Sequence, residues 1–103
     1  MNTRHEDRST VEAWLVRARG RVQGIGYRDA CVQQARALGI TGWVRNRMDD
    51  SVEAMLQGSP RQLEAMCGWM RDDMPAAIVD ELAVTPVPPP FPRFDRFDRM
   101  PTF

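Results

Sequence analysis

Gly20, Gly24 and Gly26 punctuate a run, Gly20-Arg21-Val22-Gln23-Gly24-Ile25-Gly26-Tyr27-Arg28, at which the period of the chain changes from two residues to three or four. Before it, residues 11–19 alternate, with Trp14, Val16 and Ala18 to one side and Leu15, Arg17 and Arg19 to the other, as a half-buried strand does. After it, Tyr27, Cys31, Ala35 and Leu38 recur at helical spacing, and Gly39 stands where a left-handed C-terminal cap belongs. A strand must therefore pass through a glycine loop directly into a helix. Closely spaced glycines let successive backbone N–H groups converge without Cβ clashes, and the helix behind adds free amides and the positive end of its dipole. The loop reads as a cradle for an oxyanion.

Arg28 sharpens that reading, because a cation in the first turn of a helix opposes the macrodipole at a cost of up to about 1 kcal/mol. Either an acid such as Asp29 or Glu12 compensates it, or it shares an anion with the glycine loop. The adjacent loop favours the shared anion.

The rest of the chain supplies a small domain. Residues 41–46 and 51–57 flank Arg47-Met48-Asp49-Asp50, and Val52, Ala54 and Leu56 alternate with Glu53, Met55 and Gln57, which predicts a β-hairpin with one buried face. Ser59-Pro60 gives a second helix its N-cap hydroxyl and first-position proline, and Leu63, Met66, Cys67 and Met70 form its apolar stripe down to about Asp73. Residues 78–84 read as a fourth strand. Pro86, Pro88, Pro89, Pro90 and Pro92 then forbid regular pairing until residues 94–100, a short fifth strand at a sheet edge. The order strand, helix, strand, strand, helix, strand predicts a ferredoxin-like α+β sandwich, a split β-α-β fold with an antiparallel sheet and two helices on one face. Residues 1–10 are polar and aperiodic and read as a flexible tail ahead of a domain over 11–103. The fold alone assigns no function.

Composition removes several chemistries. At 103 residues there is room for one core, and 14 basic residues balance 14 acidic ones, so no general field attracts nucleic acid or a membrane. Every basic side chain is Arg, which removes lysine Schiff-base chemistry and the lysine of a Walker-type loop. His5 is the only histidine and lies in the tail, so histidine triads and histidine metal sites are nearly excluded. Cys31 and Cys67 fall on apolar helix faces without Cys-x-x-Cys spacing, and neither a signal peptide nor a membrane-length apolar run is visible, which suggests a reduced, cytoplasmic protein.

The glycine run, together with Gly42-Trp43-Val44-Arg45-Asn46 followed by Ser51-Val52-Glu53, resembles the paired signature of the acylphosphatase family, and the likeness extends over residues 11–100 with the element order. The resemblance implies hydrolysis of the carboxyl–phosphate bond of a small acyl phosphate to a carboxylate and inorganic phosphate, without a metal or organic cofactor. It places the phosphate-binding arginine at Arg28, the water-orienting asparagine at Asn46, and the backbone cradle at Arg21, Val22, Gln23, Gly24, Ile25 and Gly26. It makes inorganic phosphate both product and competitive inhibitor. For Gln23 the backbone N–H is expected to matter more than the side chain, and Arg45 and Arg47 are expected to be solvated strand residues.

Two positions depart from the family pattern. Asp49-Asp50 stands where the hairpin turn commonly has glycine second, which threatens the position of Asn46; Asp73-Met74 replaces the Gly-Pro pair that usually ends the second helix. A non-catalytic anion-binding or interaction domain on the same fold is the alternative. An RNA-binding module is disfavoured by the zero net charge and by the absence of aromatics from residues 52–56, and a dinucleotide site by Asp29 at the third small position of Gly24-x-Gly26-x-x-Asp29. The charged segment 94–99 and the prolines before it discourage edge pairing, so a monomer is expected.

Overall fold

The computed structural model describes residues 11–103; the tail expected over 1–10 lies outside the described residues. Alternation in the first segment produces β1 (Glu12–Arg21), whose Val16 and Ala18 are fully buried beneath the helices. Chain order then gives α1 (Tyr27–Leu38), β2 (Thr41–Asn46), β3 (Val52–Gly58), α2 (Pro60–Asp72), β4 (Ile78–Val87) and β5 (Phe97–Arg99). The sheet order is β4-β1-β3-β2-β5. Since β3 lies antiparallel between β1 and β2, those two run parallel with a strand inserted, which is the split β-α-β arrangement.

The core fills the space between the helices and one sheet face. Tyr27, Cys31 and Ala35 of α1 and Leu63, Met66, Cys67 and Met70 of α2 close on Val16, Ala18, Val44, Val52, Ala54 and Leu56. At Gly42 a Cβ would meet the Met55 carbonyl oxygen at 1.8 Å, so only glycine lets β2 and β3 approach there. The helix ends follow their sequence signals: Gly39 caps α1 in the left-handed conformation at φ 78°, and Ser59 with Gln62 closes a reciprocal capping box on α2. Both cysteines are buried free thiols, and burial pushes Cys31 up to about 12 and Cys67 up to about 11.

Four expectations are corrected. β4 continues past residue 84 through Pro86, because it is an edge strand, the place in a sheet where a proline without an N–H is tolerated. β5 is shorter than residues 94–100 and pairs in parallel with β2, which makes the sheet mixed although its other four strands are antiparallel. β3 is buried on both faces. It lies mid-sheet, with Glu53 covered by Arg17, Arg45 and Arg47, and with Gln57 bonded to the Pro92 carbonyl and the Phe94 N–H of the segment that crosses from β4 to β5. Finally, β1 runs two residues beyond Arg19, through a bulge at Arg19/Gly20, so that Arg21 pairs with Ile78.

Candidate active site

The β1 bulge delivers the chain into residues 22–26 at the end of the sheet where β2 finishes with Asn46. Gly24 and Gly26 hold φ 78° and 82°, and a Cβ on either would meet nothing within 4 Å. Glycine is thus required there by backbone conformation, and the space above both residues is open. Gly26 is also the N-cap of α1 and brings no side chain to cap it, whereas α2 has its capping box. Among the described residues, no backbone N–H of residues 23–26 donates to a protein acceptor. Amides left unpaired at a helix N-terminus make an anion seat.

A cavity of about 210 Å³ opens over this loop, below the roughly 300–1,000 Å³ of drug-sized sites and suited to a small ligand. Val22, Gly24, Gly26, Tyr27, Arg28 and Asn46 line it, together with Asp29 and Arg99. Residues separated in sequence as loop, helix start and strand end are therefore brought to one hollow. A larger apolar hollow of about 640 Å³ lies at the other end of β1, against Trp14, Pro86 and Phe91, and holds none of these groups.

The acids that offered Arg28 an alternative partner are engaged elsewhere. Asp29 Oδ1 accepts from Arg99 Nη1 at 3.0 Å, and Glu12 Oε1 accepts from the Trp14 indole at 3.0 Å. Arg28 Nη1 donates only a long 3.4 Å bond to the Met100 carbonyl. Its charge in the first turn of α1 is thus unneutralised by a carboxylate among the described residues.

Asn46 is held in the β2–β3 ladder right beside the unusual turn. It pairs with Val52 as the last residue of β2, and Asp50 takes the left-handed conformation at φ 73° that glycine commonly supplies. Asp49 compensates: its Oδ1 accepts from Ser51 Oγ at 2.6 Å and from the Ser51 N–H at 3.0 Å, so the turn carries its own side-chain bracing. Those Ser51 bonds, with the Arg19 charge, hold the Asp49 carboxyl down at about 2. Asp73 likewise caps α2 without glycine, in the right-handed region, with its N–H on the Trp69 carbonyl at 2.9 Å.

Three supports of the site are not legible in the residue pattern. The Gln23 side chain, expected to be secondary, donates from Nε2 to the Arg47 carbonyl at 2.9 Å and the Ser51 carbonyl at 2.8 Å, tying the cradle to the turn behind Asn46. Residues 100–103 continue along β2: Met100 N–H bonds the Val44 carbonyl at 2.8 Å, and Phe103 N–H bonds the Asn46 carbonyl at 3.0 Å. Arg45 and Arg47, expected to be solvated, both hold Glu53, and the Phe103 ring lies 4.6 Å from the Arg45 guanidinium and 5.4 Å from that of Arg47.

The family model described as acylphosphatase matches residues 14–98. The chain belongs to the acylphosphatase family. It is 68% identical to acylphosphatase 1 of Ralstonia nicotianae over 96 residues, 93% of this chain and 94% of the relative. It is 65% identical to an acylphosphatase of Polaromonas naphthalenivorans over 92 residues, 89% of this chain and 91% of the relative. In three dimensions it is similar to the acylphosphatase of Bacillus subtilis, with a TM-score of 0.82 at 26% identity over 88% of this chain and 99% of that one. The matched span contains the cradle, Arg28 and Asn46, so the family assignment and the cavity concern the same part of the molecule.

Proposed function

We propose that this protein is an acylphosphatase that hydrolyses the carboxyl–phosphate anhydride of small acyl phosphates with protein groups alone. One observation carries the reading: an open amide cradle, an arginine unneutralised by a neighbouring carboxylate and a strand-end asparagine line one cavity of ligand size. The phosphoryl group sits on the amides of the loop and the first turn of α1, and the planar fork of Arg28 binds its non-bridging oxygens. In the transition state these donors stabilise the charge spread over the equatorial oxygens.

Asn46 does not ionise near neutral pH and cannot serve as a base. Its amide instead holds a water in line with the bond from phosphorus to the acyl oxygen. As the new P–O bond forms and the bond to the acyl oxygen breaks, the water's proton passes to a phosphoryl oxygen. The leaving carboxylate, with a pKa of about 4–5 by analogy with carboxyl side chains, departs without a proton. Neither histidine nor lysine is needed. The products are a carboxylate and inorganic phosphate, and phosphate occupying the same seat is a competitive inhibitor.

The chain acts as a monomer in the cytoplasm in this reading. Its outer edges are poor templates for pairing, since β4 carries Pro86 and β5 is three residues long with exposed charges beside it. No helix among the described residues is long and apolar enough to cross a membrane.

Asn46→Ala separates the two halves of the mechanism. Removing a positioning donor of this kind costs about 2.7–4 kcal/mol in the barrier, roughly a hundredfold to a thousandfold in turnover, with phosphate affinity retained. Near-wild-type turnover in this variant would remove Asn46 from the mechanism.

A further inference from the structure

The cavity holds a second guanidinium to which phosphoryl binding gives no task. Arg99 ends β5 opposite Val44, alongside the strand that reaches Asn46 two residues later, and its side chain lines the same hollow as Arg28. It is fixed there by Asp29, whose Oδ1 takes one of its donors at 3.0 Å. Asp29 lies in the first turn of α1, where the helix dipole favours a carboxylate, so the acid is a stable post for the arginine. A guanidinium has five N–H donors, and this contact leaves most of them free for a ligand.

Burial separates the tasks of the two arginines. The Arg99 and Asp29 side chains are 51% and 66% exposed, whereas Arg28 is half-buried, so of the two guanidiniums that line the hollow Arg99 is the one nearer solvent. An acyl chain carried by a phosphoryl group on the cradle has its way out of so small a hollow on the solvent side, where the more exposed guanidinium lies. There Arg99 presents a flat fork suited to a carboxylate.

We propose that Arg99 is a specificity-determining residue that binds a carboxylate on the acyl portion, so that the site favours monophosphates of short dicarboxylic acids over acyl phosphates with neutral chains. This rests on the hydrolase reading above and names its substrate class more narrowly. The contact is partly solvated, so its expected size is that of a half-exposed ion pair, about fivefold in the specificity ratio and sensitive to salt.

The test compares the monophosphate of pentanedioic acid with pentanoyl phosphate, subtracting uncatalysed decay, for wild type and Arg99→Gln. Wild type is expected to favour the diacid about fivefold in kcat/KM, mainly through KM, and the ratio to shrink as ionic strength rises. Arg99→Gln should bring the ratio close to one and make it independent of salt. A ratio unchanged by the substitution overturns the proposal. So does an equal fall for both substrates together with weakened inorganic phosphate binding, since Arg99 would then be gripping the phosphoryl group. If wild type cleaves neither compound, the hydrolase reading fails on its own account. The preference is then read from protection against thermal unfolding, where equal protection by the two compounds refutes the role of Arg99.

Discussion

Replacing Gln23 by methionine cuts the bridge between the two halves of the site while keeping an unbranched side chain of similar length. The amide donates to the Arg47 and Ser51 carbonyls at 2.9 and 2.8 Å. Each neutral hydrogen bond is worth about 0.5–1.5 kcal/mol net, which sets an upper bound of about 3 kcal/mol. Both carbonyls keep another partner: Arg47 O accepts from the Asp50 N–H at 3.1 Å and Ser51 O from the Arg47 N–H at 2.8 Å. No acceptor is orphaned, so the expected loss is nearer the lower end, about 1–2 kcal/mol. Urea unfolding measures it as a lower midpoint at unchanged slope, and in a domain of this size each kcal/mol lowers Tm by about 4–8 °C. The functional signature is distinct from the stability loss. Turnover should fall more than phosphate affinity, because the bridge fixes the turn behind Asn46 and leaves the loop amides in place. A Gln23→Met protein with wild-type stability and wild-type turnover would show that cradle and turn are not coupled through this side chain.

Other perturbations address the surroundings of the site. Asp50→Gly relieves a left-handed Asp at φ 73° and should raise stability by about 0.5 kcal/mol after the larger unfolded-state entropy of glycine is counted, read in the same urea assay. Asp49 has its folded carboxyl at about 2, below its ordinary range near pH 4, so the stabilisation is present above about pH 4 and is lost as the pH falls toward 2. Glu53 acts in the same direction: burial works to raise its pKa, but hydrogen bonds from Arg45 and Arg17 and the charges of Arg45 and Arg47 outweigh burial and lower it. Unfolding midpoints taken from pH 5 to pH 2 should therefore drop more steeply for wild type than for Asp49→Asn, and parallel curves would refute the assignment. Removing residues 101–103 deletes the Phe103 bond to the Asn46 carbonyl and the ring beside Arg45 and Arg47. The expected cost is about 1–2 kcal/mol of stability with a further loss of turnover, and an unaffected kcat would contradict the bracing of Asn46 from this side.

What was legible in the sequence was whatever local physics decides. The helix from Tyr27 to Leu38, its glycine cap and the Ser59-Pro60 start of α2 depend on spacing and cap chemistry within a few residues, and they stand where the pattern puts them. Of the residues that glycine spacing and the family signature mark, Val22, Gly24, Gly26, Arg28 and Asn46 line one cavity, whereas Arg21 is paired into β1 opposite Ile78 and neither Gln23 nor Ile25 lines that cavity. The misses were all set by neighbours remote in sequence. Pro86 is tolerated because of where β4 falls in the sheet order, and Glu53 is buried because three arginines from two strands and a turn converge on it. Gln23 and Phe103 reach their partners across the fold, and Arg99 enters the cavity only because β5 runs parallel to β2. The one available signal for Arg99 was its place in the charged segment 94–99, which read as protection of a sheet edge.

The central claim is that protein groups alone, with Arg28 as the phosphoryl-binding cation, carry out acyl phosphate hydrolysis. The most direct measurement is phosphate release from an aromatic acyl phosphate in excess chelator by wild type and Arg28→Ala. The account predicts rapid hydrolysis unaffected by chelator in wild type, with both turnover and inhibition by inorganic phosphate lost in Arg28→Ala. Wild-type release at the uncatalysed rate, or full activity and phosphate inhibition in the variant, would contradict it.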